Sequence, residues 1–217
     1  MSQRILSQKD IKAIYGKWAQ HYDLSIWFFY LIGFGIKAYR KKAIEGLELK
    51  AGDTVVDLGC GTGLNFKMLQ DRVGPTGSII GVDLSDAMLA QARKRVRKSV
   101  WKNVSLVQAD MAEYQIPQNV DGILSTLAIT MSPNYDKIIK RASCTLTAGY
   151  RMSIFELKKP EKWPDWLLKS MIFMLKSYGT RLAHTKRTPC SSIMKWFTHS
   201  EMEEYYFGSV CVSTGVA

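Results

Sequence analysis

The chain has 217 residues, 47% of them hydrophobic and 23% charged, which is enough for one packed core and short for two. Thirty Lys and Arg against nineteen Asp and Glu leave a formal charge of +11, a balance that favours anionic partners such as nucleic acid, phospholipid headgroups or phosphorylated metabolites. Such a composition excludes general disorder, and the longest apolar run, residues 26–36, falls short of the roughly 18 residues of a membrane span.

The first fifty residues read as helical: Ile11, Ile14, Tyr15, Trp18 and Tyr22 recur at spacings of three and four, and the aromatic run is followed by the basic group Lys37, Arg40, Lys41 and Lys42. Residues 54–58 (TVVDL) form a β-branched run that ends at glycines, the pattern of a buried parallel strand entering a loop. A helix is predicted over 65–73, a turn at Gly74-Pro75-Thr76-Gly77, and a second strand over 78–82 that ends in Asp83. Ser85 caps a helix over 86–98, with Met88, Ala92 and Val96 on one stripe. The third strand covers 104–109 and ends at Asp110; the fourth covers 121–127 and leads to a helix over 134–146. Gly149 ends that helix, and 151–157 (RMSIFEL) is the fifth strand.

Strand and helix thus alternate five times, which predicts an α/β fold built on a doubly wound, mostly parallel sheet with helices on both faces. Beyond Pro160 a strongly apolar helix is expected over 163–178, then a basic loop with Arg181, His184, Lys186 and Arg187. Strands near 203–207 and 209–214 would close a sheet of about seven strands. One domain over 1–217 is expected, with 1–50 as a helical lid or substrate segment, 51–157 as the cofactor core and 158–217 as the substrate-side helix and closing strands.

Cys60, Cys144, Cys190 and Cys211 are widely spaced, with no CxxC pair or Cys/His cluster, so no metal is expected and reduced thiols in a cytoplasmic protein are the simplest reading. The first ten residues lack the apolar stretch of a secretory signal.

The loop after the first strand has the spacing Gly59-x-Gly61-x-Gly63, where glycine allows a tight turn and close approach of backbone to ligand. Asp83, twenty positions after Gly63 at the end of the second strand, is placed to accept both ribose hydroxyls of an adenosyl group. Asp110 ends the third strand, where an acid can bond the adenine amino group. Leu84 and Met111, each following one of those acids, would be apolar walls for the purine.

These segments, VVDLGCGTG over 55–63, GVDLS over 81–85 and QAD over 108–110, resemble the successive S-adenosylmethionine (SAM) binding motifs of class I methyltransferases. Upstream, Tyr15, Ala19, Tyr22 and Asp23 are similar to the YxxxAxxYD segment of quinone-biosynthesis methyltransferases and small soluble phosphatidylethanolamine N-methyltransferases, where it helps to cover the cofactor. The resemblance implies a Rossmann-like fold and SAM as cofactor, with S-adenosylhomocysteine as product. It places Asp57 toward the methionine amino group through water, Gly59, Gly61 and Gly63 along the methionine and ribose, the Met111 backbone on the adenine, and the Ser125 region beside the amine. Cys60, Thr62, Asn65, Met88 and the lid residues Tyr15 and Tyr22 complete the implied cofactor set.

Methyl transfer from a sulfonium is an in-line displacement, for which a protein mainly positions the acceptor and excludes water. Three groups are candidates for more than that. Tyr22 and its neighbour His21 sit in the lid segment and can orient an acceptor or take its proton, and Glu156 stands near the end of the fifth strand, the ligand-binding edge of such sheets. His184 reads as a surface histidine, with contact to an anionic group as the alternative. Apolar segments beside Lys and Arg clusters favour a hydrophobic or amphiphilic acceptor, a phospholipid amine or a quinone-like ring, with peripheral contact to an anionic membrane at its cytoplasmic face. RNA methylation, prompted by the charge and by the run Arg93 to Lys98, is the second reading, and an inactive SAM-fold binding module the third. A monomer or homodimer is expected.

Overall fold

The computed structural model describes residues 35–160, 164, 170, 184 and 186–217. Helix α1 (Ile36–Gly46) leads into strand β1 (Thr54–Leu58), followed by α2 (Phe66–Val73), β2 (Ser78–Asp83), α3 (Asp86–Lys98), β3 (Val104–Gln108) and β4 (Gly122–Thr126). A 3-10 turn (Ile129–Met131), α4 (Tyr135–Thr145), β5 (Arg151–Leu157), α5 (Pro189–Trp196), β6 (His199–Tyr205) and β7 (Val210–Val216) complete the order. The seven strands form one sheet in the order β3-β2-β1-β4-β5-β7-β6. The first five are parallel, and β7 runs antiparallel to both of its neighbours.

Alternate residues of the strands serve opposite faces, as the pleat requires. Val55, Ile79, Leu124, Phe155 and Val212 pack with Ile36, Ile44, Phe66, Leu69 and Leu89 of α1, α2 and α3. Val56, Val82, Ile123, Ile154 and Cys211 pack with Ile138, Ile139 and Ile193 of α4 and α5. Both faces are covered, which is why these strands read as near-continuous apolar runs. Local signals fix the helix ends: the Ser85 hydroxyl accepts the Met88 N–H at 3.4 Å to cap α3, and Arg95, Arg97 and Lys98 lie at its carboxyl end, where the helix dipole favours cations.

Several expectations need correction. Helix α5 escaped the sequence reading, although Pro189 in its first turn is a common start signal. The first closing strand begins and ends earlier than 203–207, at His199–Tyr205, and the second begins and ends later than 209–214, at Val210–Val216, with the turn at Tyr206 to Ser209 between them. Cys190 and Cys211 form a disulfide between α5 and β7, while Cys60 and Cys144 are free. Wide spacing along the chain concealed that pairing, because only the antiparallel return of β7 brings Cys211 beneath the helix. Arg40 turns inward and is 6% exposed, whereas its neighbours Lys37, Lys41 and Lys42 are exposed, so the basic group is split between core and surface. His184 is buried rather than at the surface, at 5% exposure. The helix expected over 163–178 falls almost wholly outside the described residues. None of the described helices is long and apolar enough to cross a membrane.

Gly81 in β2 shows how closely the glycine loop after β1 lies on the sheet. A Cβ added there would meet Phe66 at 2.7 Å, Leu106 at 2.9 Å and the Cys60 sulfur at 3.0 Å. Gly81→Ala is therefore expected to destabilise the fold by about 1–3 kcal/mol through overpacking. Urea unfolding checks this, and an unchanged midpoint would show that the Phe66 ring moves aside freely.

Candidate cofactor site

The strand order reverses between β1 and β4, and an open α/β sheet leaves its ligand crevice at the carboxyl ends of the strands beside such a reversal. The loop leaving β1 and the turn leaving β4 face one another there. Gly59 has φ +74, and a Cβ on it would lie 2.3 Å from the Ala128 Cβ and 3.2 Å from the Met111 methyl. Only glycine combines that left-handed backbone with so close a neighbour. The loop is tied to β2 by the amides of Gly59 and Cys60, which donate to the Val82 carbonyl at 2.8 and 3.0 Å.

Asp83 holds the other side of the loop. Its Oδ2 accepts the Gly61 N–H and its Oδ1 the Ser85 N–H, both at 2.8 Å. An ionised carboxylate offers about four acceptor positions, so these two bonds leave capacity on each oxygen for a diol. Burial raises the pKa of Asp83, against the lowering effect of the two amides. At Gly61, between the two flanking glycines, an added Cβ would meet nothing within 4 Å among the described residues, so these leave the crest of the loop open. These features fit an adenosyl cofactor. Leu84 and Met111 are half-buried beside the two acids, and Met88 is buried.

Other predicted residues take supporting positions. Asp110 folds the chain after β3, its Oδ1 accepting the Ala112 N–H at 2.9 Å, and Ala109 donates to the Asp83 carbonyl at 3.1 Å, which sets the two acids side by side along the sheet edge. The Met111 carbonyl accepts from Arg141 at 2.7 Å. Cys60 is buried with its sulfur 3.8 Å from the Gly61 carbonyl, and burial pushes its thiol pKa up. Thr62 is buried and its carbonyl accepts from Arg95 Nε at 2.9 Å. The Ser125 hydroxyl donates across to the Leu58 carbonyl at 2.9 Å, and it is the next residue, Thr126, whose side chain joins the polar group beneath the loop. Successive strand residues point to opposite faces, so a displacement of one position exchanges their surroundings.

That polar group is the least expected part of the site. Asp57 has no exposed surface, and its two oxygens accept from the Asn65 amide at 3.1 and 3.0 Å. The same amide nitrogen reaches the Thr126 hydroxyl at 3.0 Å, and Arg40 donates to Asn65 Oδ1 at 2.8 Å and to the Thr126 hydroxyl. Burial raises the Asp57 pKa to about 7, opposed by the Asn65 amide and the Arg40 charge. Arg40 was legible in principle, since Ile36, Arg40, Ala43 and Ile44 share one helix face.

Glu156 stands at the sheet edge as predicted but is 3% exposed, and its Oε1 accepts the N–H groups of Ala128 at 2.9 Å and Thr130 at 3.2 Å. Burial raises its pKa to about 7 against those donors. Tyr15, His21 and Tyr22 lie outside the described residues. Among the described residues no group of His, Cys, Asp or Glu is arranged to hold a metal ion.

A carboxyl with a raised pKa binds more protons folded than unfolded, so its contribution to stability is present below the ordinary aspartate value of 3.8 and is lost as pH rises through about 7. The melting temperature is therefore expected to fall more steeply between about pH 5 and about pH 8 in the unmodified protein than in Asp57→Asn. Equal slopes would mean that Asp57 titrates in the ordinary range.

Residues 55–149 match a family described as a methyltransferase domain. The chain is 31% identical over 156 residues to a demethylmenaquinone methyltransferase of Lactobacillus johnsonii, an alignment that covers 70% of this chain and 63% of that protein. It is 28% identical over 115 residues to an arsenite methyltransferase of Halobacterium salinarum, covering 52% of this chain and 29% of that protein. The chain thus spans less than two thirds of the length of these relatives. Among solved structures, a SAM-dependent methyltransferase from Aquifex aeolicus superposes with a TM-score of 0.55 at 20% identity, covering 82% of this chain and 88% of that one. A phosphoethanolamine N-methyltransferase 2 of Haemonchus contortus gives 0.58 at 24% identity, over 71% of this chain and 35% of that one. At these identities the two structures share the fold with this chain. The glycine loop, the strand-end acids and the family match fall on the same stretch, residues 55–149, which match the methyltransferase-domain family on a sheet whose fold is shared with SAM-dependent methyltransferases.

Proposed function

We propose that the chain transfers a methyl group from SAM to a hydrophobic or amphiphilic small molecule, with a quinone-like ring or an ethanolamine-bearing lipid as the acceptor. The observation that carries the reading is the Asp83 carboxylate, which fixes the Gly61 amide on one side and keeps acceptor capacity beside the open crest of the loop. When bound, SAM supplies an electrophilic methyl on its sulfonium. The chain's own groups then have distinct tasks. Asp83 accepts the ribose hydroxyls, Leu84 and Met111 flank the purine beside Asp110, and Gly59, Gly61 and Gly63 admit the methionine. Asp57 acts from beneath, orienting Asn65 and Thr126, and Arg40 holds that set in place.

Similarity to the demethylmenaquinone methyltransferase supports the acceptor class. By the motif resemblance, Tyr15 and Tyr22 would help to hold the cofactor, and Tyr22 and His21 would be the candidates for orienting the acceptor. A nucleic-acid acceptor draws less support, because the basic run on α3 is partly committed: Arg93 pairs with Asp86 and Arg95 turns inward to the loop.

Asp83→Ala should weaken SAM binding by about a hundredfold, as expected for losing two charge-assisted bonds, with the fold retained. Calorimetric titration with SAM measures this, and undiminished affinity would remove the site. Methyl-labelled SAM offered with a quinone-precursor fraction, total lipid and total RNA should deposit label in one of the first two. Label in RNA alone would replace the proposed acceptor.

A further inference from the structure

The 3-10 turn at Ile129–Met131 follows β4 directly and forms the wall of the crevice opposite the glycine loop, since Ala128 at its start is the residue that presses on Gly59. It is a short element with few bonds of its own: Met131 N–H donates to the Ala128 carbonyl at 2.9 Å, and Ser132 N–H to the Ile129 carbonyl at 3.1 Å. Leu127, which enters it, has φ +56, a left-handed backbone on a β4 exit where the residue is not glycine. Something outside the turn has to hold it.

Two ionisable side chains, the buried Glu156 and the half-buried Arg187, do so from opposite ends. Glu156 on β5 receives the amides that a first helical turn leaves without partners: Ala128 N–H at 2.9 Å and Thr130 N–H at 3.2 Å. Arg187, just before α5, donates through one terminal nitrogen to the carbonyls of Thr130 at 2.5 Å and Met131 at 2.8 Å. The carboxyl group thus sits at the amide end of the turn and the guanidinium at its carbonyl end, which is the arrangement that the dipole of a helical turn favours. Arg187 is itself fixed, its own N–H donating to the carbonyl of buried His184 at 3.0 Å.

We infer that Glu156 and Arg187 are positioning residues that bracket the turn after β4 and so set the acceptor wall of the methyl-transfer crevice. Neither need touch a substrate. The bracket joins two distant parts of the chain, β5 and the residues just before α5, through a three-residue turn. This inference rests on the proposed methyl transfer for its functional meaning and on the turn alone for its structure.

The test uses the full chain and the variants Glu156→Gln, Arg187→Met, Arg187→Lys and the double change Glu156→Gln/Arg187→Met. Hydrogen exchange at the amides of Ala128 and Thr130 is read first. Both amides should exchange at least about tenfold faster in Arg187→Met, although Arg187 bonds only carbonyls, because the bracket holds the turn as a unit. SAM affinity should stay within about threefold, while kcat/KM for the acceptor falls about tenfold or more, and Arg187→Lys should recover a large part of it. The double variant should be no worse than the worse single one, as expected for two groups acting on one element. Unchanged amide exchange in Arg187→Met, or fully additive losses, would overturn the bracket. Absence of methyl transfer by the unmodified protein counts against the proposed function, and the exchange measurement then decides the bracket by itself.

Discussion

Strands β1 and β4 lie side by side in the sheet, yet the chain leaves them toward different helical layers, and everything at the ligand edge follows from how that parting is closed. The closure is a contact between backbone and one methyl group, Gly59 against Ala128, too tight for any side chain on the β1 loop. The loop is therefore pinned from both sides. Val82 and Asp83 bind its amides from β2, and the turn after β4 presses on it from across the reversal. A crevice built this way has a rigid floor before a ligand arrives, which is the state in which dipoles and donors stabilise a reaction without reorganising.

Beneath that floor lies a buried polar layer in which Asp57, Asn65, Thr126 and Arg40 bond one another, with Arg40 Nε left unpartnered among the described residues. An isolated carboxylate at the Asp57 position would be costly to bury, and its shift toward a pKa of about 7 shows that the guanidinium and the amide compensate for part of that cost only. Groups of this kind specify geometry more than they add stability. The polar layer fixes Asn65 at the start of α2, and through it the direction in which the chain leaves the glycine loop.

Much of this was legible in the sequence because several signals of different kind agree on the same residues. TVVDL followed by three spaced glycines gives a strand and a loop at once, and the acids at the ends of β2 and β3 lie where the alternation of strands and helices requires them. The five parallel strands were legible for the same reason. What escaped is long-range. Pairing of Cys190 with Cys211 depends on the return of β7, and the commitment of Glu156 to the turn after β4 depends on β4 and β5 being neighbours. Arg40 was read by its charge among the lysines beside it, when its position on the apolar face of α1 was the better guide. Thr126, which no motif singled out, joins the polar layer beside Ser125, since periodicity sets the face of a strand only when its register is known.

The inward turn of Arg40 also bears on where this fold begins. Residues 55–149 carry the match to the methyltransferase family, yet the guanidinium that compensates Asp57 comes from a helix that ends at Gly46, ahead of the first strand. A fragment cut at the matched boundary would keep every loop and strand-end acid and still leave a buried carboxylate without its countercharge. In electrostatic terms the smallest self-sufficient unit starts upstream of the domain that similarity outlines, and α1 belongs to the core of the fold rather than being an appendage to it.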